Sequence, residues 1–402
     1  MSESKASLTG SGYRENLPMN VWKVPLADIT LGPEEVAAVT EVLQSGWLSM
    51  GPKTQEFEER FAQFLGVKYA FAAANGTAAL HLASEVIGLG PGDEVLCPAL
   101  TFVASANAIL YTGAKPVFVD VTGSHDLNLS VDDAAAKVSE RTKAIMVVHY
   151  AGYSVDMDAI AALARRWGLK IIEDCAHAPG TVYQSGQGPR LAGTLGDVGC
   201  FSFFSNKNMT TGEGGMVVTH DDELAGKIKT ARSHGMTTLT WDRHRGHSFS
   251  YDVVAKGYNY RLDEMRAALG LVQLQRLESG NATRRDLTHA YRGKLKDLDH
   301  IEVPFRDAPD GSAHHLFPIL LKDPAKRTDF MATLARQGIQ TSIHYPPVHL
   351  FSYYRSLWEE GHNHHLPLTE GIASRLVTLP LYPSLTMAQL DAVVAAIYAY
   401  FR

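Results

Sequence analysis

Lys207 is the only lysine between Lys170 and Lys227. It follows the aromatic run Phe201-Ser202-Phe203-Phe204 and precedes the Thr/Gly-rich turn Thr210-Thr211-Gly212-Glu213-Gly214-Gly215. A lysine partly removed from water can be neutral and attack a carbonyl to form a Schiff base. A loop lysine pointing at solvent is the commoner fate. The aromatic and glycine company, with a hydroxyl at Ser202, sets this one apart.

Three other segments carry chemistry. Asn75-Gly76-Thr77-Ala78 follows the apolar run Val67–Ala74 and opens a helical pattern. A strand, a Gly-containing turn and a helix leave backbone N–H groups aimed at one point, which suits a phosphate. An ordinary turn capped by Thr77 would read the same way. Glu173 and Asp174 close the buried-looking run Ile171-Ile172 and lead into Cys175-Ala176-His177. Ligands of open parallel sheets gather at the carboxyl ends of strands, and a buried carboxylate needs a partner. Asp174 could hold a cationic ring nitrogen, or cap the next helix. Gly257-Tyr258-Asn259-Tyr260-Arg261-Leu262 packs polar and aromatic groups into a short turn before a long helical pattern, with Asn259 a possible cap. A phosphate cradle, an anion for a ring nitrogen and an isolated lysine are together what pyridoxal 5'-phosphate (PLP) requires.

These residues need a scaffold. Short apolar runs at Val67–Ala74, Glu94–Cys97, Pro116–Val119, Ala144–Val148, Leu169–Ile172, Gly199–Phe204 and Gly215–Thr219 read as strands, mostly separated by helical segments such as Met157–Trp167. That alternation predicts an α/β protein with a large, mostly parallel sheet covered on both faces. Val36, Val39, Val42 and Leu43 predict one apolar helix face; Phe57, Phe61, Phe64 and Leu65 predict another, closed by Gly66. The pattern changes near residue 280. Tyr260–Leu277 and Ala282–Asp297 read as two helices. Glu302–Pro304, His315–Leu321 and Gln340–Tyr345 read as strands, Arg327–Gln337 as a helix, and a last helix is capped by Thr386. The expected organisation is an N-terminal arm over 1–20, a large cofactor-binding domain over 21–279 and a small α/β domain over 280–402.

Composition limits the classes of function. Lys+Arg 37 against Asp+Glu 43 gives a net charge of −6, which argues against a nucleic-acid binder. Apolar runs such as Ala392–Ile397 fall far short of the ~18 residues a membrane span needs. Met1 to Asn16 is polar and rich in Ser and Gly, unlike an export signal. Cys97, Cys175 and Cys200 show no metal-ligand spacing, and their odd number argues against a disulfide framework. A cytoplasmic protein is expected.

The ordered motifs resemble those of the DegT/StrS sugar aminotransferases, PLP enzymes of fold type I. The resemblance runs from Ser45-Gly46-Trp47-Leu48-Ser49 and Gly51-Pro52-Lys53 through Asn75–Leu80, Thr101–Asn107, Glu173–His177, Asn206–Gly215 and Gly257–Arg261 to Leu379-Pro380-Leu381-Tyr382-Pro383. It implies that Lys207 carries the cofactor, Asp174 pairs with the pyridine nitrogen, His177 reaches the phenolic oxygen and Phe102 stacks on the ring. Gly76, Thr77 and Ser202 would contact the phosphate. Asn259 would reach the phosphate of a neighbouring subunit's cofactor, which implies a homodimer with shared sites. A related branch has histidine at the lysine position and dehydrates its substrate; Lys207 points to transamination. The implied reaction moves an amino group from an amino acid, with glutamate expected, to the keto group of a nucleotide-linked deoxysugar. A cyclitol or other non-nucleotide ketone, or a catalytically silent PLP-binding regulator, are the alternatives.

Trp47, Arg243, Arg245 and His344 are the expected substrate contacts. The segment Trp241-Asp242-Arg243-His244-Arg245-Gly246-His247 is basic and aromatic within an acidic chain, so its arginines could grip a diphosphate and its Trp stack on a base. A solvated basic loop is the alternative. His344 and His349 flank Tyr345-Pro346-Pro347-Val348, in packing or contact roles. His362, His364 and His365 suggest a metal cluster at first sight, but no acidic partner is evident nearby, so a solvated loop is expected and no metal.

Overall fold

A computed structural model describes residues 22–238, 246, 250–308, 310–357 and 365–402. In chain order the strands are β1 (Tyr69–Ala73), β2 (Glu94–Pro98), β3 (Lys115–Val119), β4 (Thr142–Val148), β5 (Lys170–Asp174), β6 (Val182–Ser185), β7 (Gly188–Leu191), β8 (Val198–Ser202), β9 (Gly215–Thr219), β10 (Ile301–Glu302), β11 (Phe317–Leu321) and β12 (Leu376–Leu379). Seven of them form one sheet in the order β1-β9-β8-β5-β4-β2-β3. Only β9 runs against the rest. All seven were legible as apolar runs.

Helices α1 (Pro33–Ser45), α2 (Pro52–Leu65), α3 (Gly76–Val86), α4 (Val103–Leu110), α5 (Val131–Ala136), α6 (Met157–Trp167) and α7 (Asp222–Ala231) precede a helix of 32 residues, Glu264–Leu295. Successive side chains along each strand point to opposite faces of the sheet, and both faces are covered. Val95, Cys97, Ala144 and Met146 pack with α3, α4 and α7 on one face. Leu96, Ile145 and Val147 pack with α6 on the other. Phe57 and Phe61 of α2 cover the β1/β8/β9 end of that second face. Gly66 ends α2 at φ 70°, a left-handed cap that glycine adopts without strain.

The stretches Tyr260–Leu277 and Ala282–Asp297 are not separate helices. One helix runs through Gly280, and its two halves enter different cores. Ala267 and Leu277 pack with α2, whereas Leu287, Tyr291 and Leu295 pack against the second sheet, β10-β11-β12. One continuous helix therefore serves two cores. The second core also takes in the start of the described chain. Val24 belongs to the second core and bridges Ile339.

The second sheet corrects one further reading. Gln340–Tyr345 is no strand: Ser342 makes a single bridge to Thr378, and Pro346 and Pro347 offer no N–H to prolong a ladder. The third strand is Leu376–Leu379 instead. On α1 only Val42 of the proposed apolar face is buried, while Val36 and Leu43 are exposed. No helix among the described residues is long and apolar enough to cross a membrane.

Candidate active site

The C-terminal ends of β1, β2, β5 and β8 open onto one cavity of about 760 Å³. Its lining includes Gly76, Thr77, Phe102, Asp174, His177, Ser202, Lys207 and His344. Eight of the twelve proposed site residues thus converge from segments far apart in sequence.

The cradle forms where β1 turns into α3. The Asn75 side chain caps the helix by accepting from Ala78 N at 2.8 Å, so Asn75 rather than Thr77 is the cap. The amides of Gly76 and Thr77 are left for another acceptor. Gly76 is required by close approach, since a Cβ there would lie 2.7 Å from Ser202 Cβ. Likewise a Cβ at Gly215 would sit 2.5 Å from the Asn75 carbonyl oxygen. Free first-turn amides beside two hydroxyls match what a phosphate needs.

At the end of β5 the two carboxylates divide their roles. Glu173 points into the protein. It accepts from Gly193 N (2.8 Å), Leu195 N (2.7 Å), Gly196 N (2.6 Å) and His149 Nε2 (3.0 Å). Burial alone would raise its pKa, but the His149 contact and these amides carry it below the usual carboxylate value. His149 in turn receives Val155 N on Nδ1. Both nitrogens of His149 and both carboxylate oxygens of Glu173 are therefore engaged, so this buried group, which also contains Cys175, serves as a support. Asp174 points into the cavity. Ser105 Oγ donates to Oδ2 at 2.8 Å and Ala176 N to Oδ1 at 3.1 Å. Burial raises its pKa, opposed by those two bonds and by the charge of Lys207. A cationic ring nitrogen is the partner such a carboxylate lacks.

The Lys207 side chain is half-buried along the cavity wall, with its amine deep inside. Burial pushes its pKa down to about 8, against the attraction of Asp174. Among the described residues its amine makes no hydrogen bond or ion pair. His177 Nδ1 accepts from Ala151 N at 3.3 Å, which places the ring proton on Nε2, 2.9 Å from the Tyr345 hydroxyl. Burial, then Lys207 and His344, hold His177 well below its ordinary pKa, so it is neutral. Phe102 precedes α4 and is 56% exposed. Its ring lies 5.8 Å from that of Tyr345, leaving a face open for a flat ligand. His344 bonds Thr378 Oγ1 through Nδ1 at 3.0 Å and is pushed down to about 4 by burial and then by Lys207.

Two proposed residues, Trp47 and Asn259, are not brought into this cavity. Trp47 packs over Gly51, where a Cβ would lie 2.5 Å from its Nε1. That region is organised by Glu264, which accepts from the amides of Gly51, Lys53 and Thr54 at the start of α2. Asn259 is exposed and its backbone bridges Ser233, so it does not reach its own chain's cavity. Arg243 and Arg245 lie outside the described residues, as do His362 and His364. His349 and His365 both bond Glu370 Oε1 at 3.2 Å. An acidic partner thus does exist, five residues beyond His365, and His349 is buried beside Phe118 and does not line the cavity. Sequence reasoning missed Ser105, in the first turn of α4, whose Oγ lies 2.9 Å from Oγ1 of Thr101 just before the helix. It also missed Tyr345 as a direct partner of His177.

The profile of the DegT/DnrJ/EryC1/StrS aminotransferase family matches residues 30–398. The chain belongs to that family and is a PLP-dependent aminotransferase of fold type I. It is 41% identical over 374 residues to the spore coat polysaccharide biosynthesis protein SpsC of Bacillus subtilis (strain 168), covering 91% of this chain and 94% of the relative. Among solved structures it resembles Helicobacter pylori PseC, an aminotransferase involved in the biosynthesis of pseudoaminic acid. That likeness has a TM-score of 0.87 at 31% identity and covers 94% of this chain and 99% of PseC. It also resembles the aminotransferase TlmJ of Streptoalloteichus hindustanus, with a TM-score of 0.85 at 36% identity over 94% and 98% of the two chains.

Proposed function

We propose that the protein transfers an amino group from glutamate to the keto group of a nucleotide-linked deoxysugar. The observation that carries this reading is the cavity. Its volume lies in the upper part of the range that encloses drug-sized ligands. It also exposes the aromatic rings of Phe102, Tyr111 and Phe204, more than one flat cofactor would stack on. The involvement of SpsC and PseC in polysaccharide and pseudoaminic acid biosynthesis supports a sugar substrate.

PLP, when bound, supplies the electron sink that lets an amino-bearing carbon lose its proton. The chain's residues do the rest. Gly76, Thr77 and Ser202 would hold the phosphate, and Phe102 would lie against the ring. Asp174 would keep a proton on the ring nitrogen, and neutral His177 would donate from Nε2. Lys207 would supply the amine that attaches the cofactor, and its free Nζ would be the base that takes the proton from the amino-bearing carbon.

The test converts the enzyme to its aminated form with glutamate, then offers keto sugar nucleotides, free keto sugars and cyclitol ketones while absorbance is followed. Return of the original spectrum with the sugar nucleotide alone is expected. Return only with a cyclitol ketone overturns the reading. With Arg243 and Arg245 both changed to Ala, we expect a raised KM for the sugar nucleotide and an unchanged glutamate half-reaction. Equal loss in both halves would mean that these arginines are structural.

The active unit in this reading is a homodimer in which Asn259 completes the partner's cradle. Its exposed position, away from its own cavity, supports that arrangement. Cofactor retention should then follow association. Diluting the protein until sedimentation shows monomers should release PLP, and a fully active monomer would exclude the shared site.

A further inference from the structure

Immediately behind Lys207 the chain is tied to the long helix and to the loop before β11 by a closed set of hydrogen bonds. Asn208 Nδ2 donates to Asn281 Oδ1 and to the Ala313 carbonyl, each at 2.7 Å. With both amide hydrogens committed, Asn208 Oδ1 is the acceptor at its 2.8 Å contact with His315 Nδ1, so that nitrogen carries the proton. The His315 ring lies 4.4 Å from the His177 ring, tilted by 35°. The two histidines also share Ala151, whose N–H donates to His177 Nδ1 and whose carbonyl accepts from His315 N at 2.9 Å. Ala151 itself holds a left-handed φ of 57° and is fully buried. Asn281 completes the circuit by donating to the Pro179 carbonyl, two residues past His177.

We propose that His315 is a positioning residue for the transamination. Through Asn208 it fixes the backbone from which Lys207 extends, and through its face and the shared Ala151 it fixes the ring of His177. Neither His315 nor Asn208 lines the cavity, so both act through their neighbours. The arrangement makes the lysine turn depend on the loop at residues 312–315, which leads into β11. A catalytic amine held by its own loop alone would sample many positions, and a misplacement of about 1 Å can cost about a hundredfold in rate.

The inference rests on Lys207 being the cofactor lysine, which borohydride mapping tests separately. The experiment compares His315→Leu, which keeps bulk but loses the donor, with His315→Asn, whose Nδ2 can replace the donating Nδ1. Two quantities are measured: amide exchange of the 204–212 segment in the apoprotein, and the single-turnover rate with glutamate in the holoenzyme. In His315→Leu, exchange should rise by roughly tenfold and the turnover rate should fall by roughly tenfold or more, the scale of one buried hydrogen bond. His315→Asn should stay within about threefold of the natural protein in exchange, with most of the rate restored. Asn208→Ala should reproduce the Leu variant, and the double variant should be no worse, because both remove one link. Exchange raised across the whole large sheet, an Asn variant no better than Leu, or additive losses would each overturn the proposal. If His315→Leu does not fold, the comparison of Asn208→Ala with His315→Asn decides it.

Discussion

Changing Lys207 to alanine should lower turnover by roughly four orders of magnitude, because one substitution removes both the amine that attaches the cofactor and the base that moves the proton. The natural protein should bind PLP so that borohydride fixes it irreversibly, and peptide mapping should find the adduct on Lys207. An adduct on another lysine would sink the assignment. The fold should survive, since the Lys207 amine makes no hydrogen bond among the described residues. Its electrostatics add a pH dependence. Desolvation favours the neutral amine and brings the pKa down to about 8. The reactive form therefore grows as pH rises through that value and is complete above it. In the apoprotein, chemical labelling of Lys207 and the rate of PLP uptake should both rise with pH and level off beyond about 8. Labelling with a midpoint near the ordinary lysine value would show that the amine is solvated.

How much of this was legible in the sequence depended on the range of the forces involved. The seven strands of the large sheet were visible because each is buried on both faces and so reads as an unbroken apolar run. Lys207, Gly76 and Asp174 were visible because local pattern marks them: an isolated cation, a strand–turn–helix glycine and a carboxylate ending a buried strand. The pairing Glu173-Asp174 did not reveal that one residue faces inward. That split is decided by the amides of Gly193, Leu195 and Gly196, about twenty residues on. The strand at Leu376–Leu379 was hidden for a similar reason, because its partner β11 lies over fifty residues away. Trp47 was an expected substrate contact, yet its ring is placed by contact with Gly51. The polar helix read over Ala282–Asp297 was real in content. Nothing local signals that it continues the helix before it, because Gly280 only weakens a helix.

Asp174→Asn should slow the proton-transfer step by about a hundredfold, close to 3 kcal/mol, while leaving the fold intact. Folding survives because the hydrogen bonds can be remade. The Asn carbonyl still accepts from Ala176 N. Its amide can donate to Ser105 Oγ, whose hydroxyl then turns to Thr101 Oγ1, 2.9 Å away. The lost quantity is charge. Without the carboxylate, nothing in the site favours a proton on the ring nitrogen, and the neutral ring is a weaker acceptor of electrons. A charge-assisted bond in a desolvated site is roughly twice as strong as a neutral one, so the effect falls on the chemical step more than on cofactor affinity. A second consequence separates this from general damage. Asp174 is what raises the Lys207 pKa against desolvation, so the Asn variant should shift the Lys207 labelling midpoint below about 8. A thermal midpoint near that of the natural protein, a hundredfold slower half-reaction and a downward shift of the lysine would together identify Asp174 as the ring's counter-charge. Near-normal rates in the Asn variant would remove it from that role.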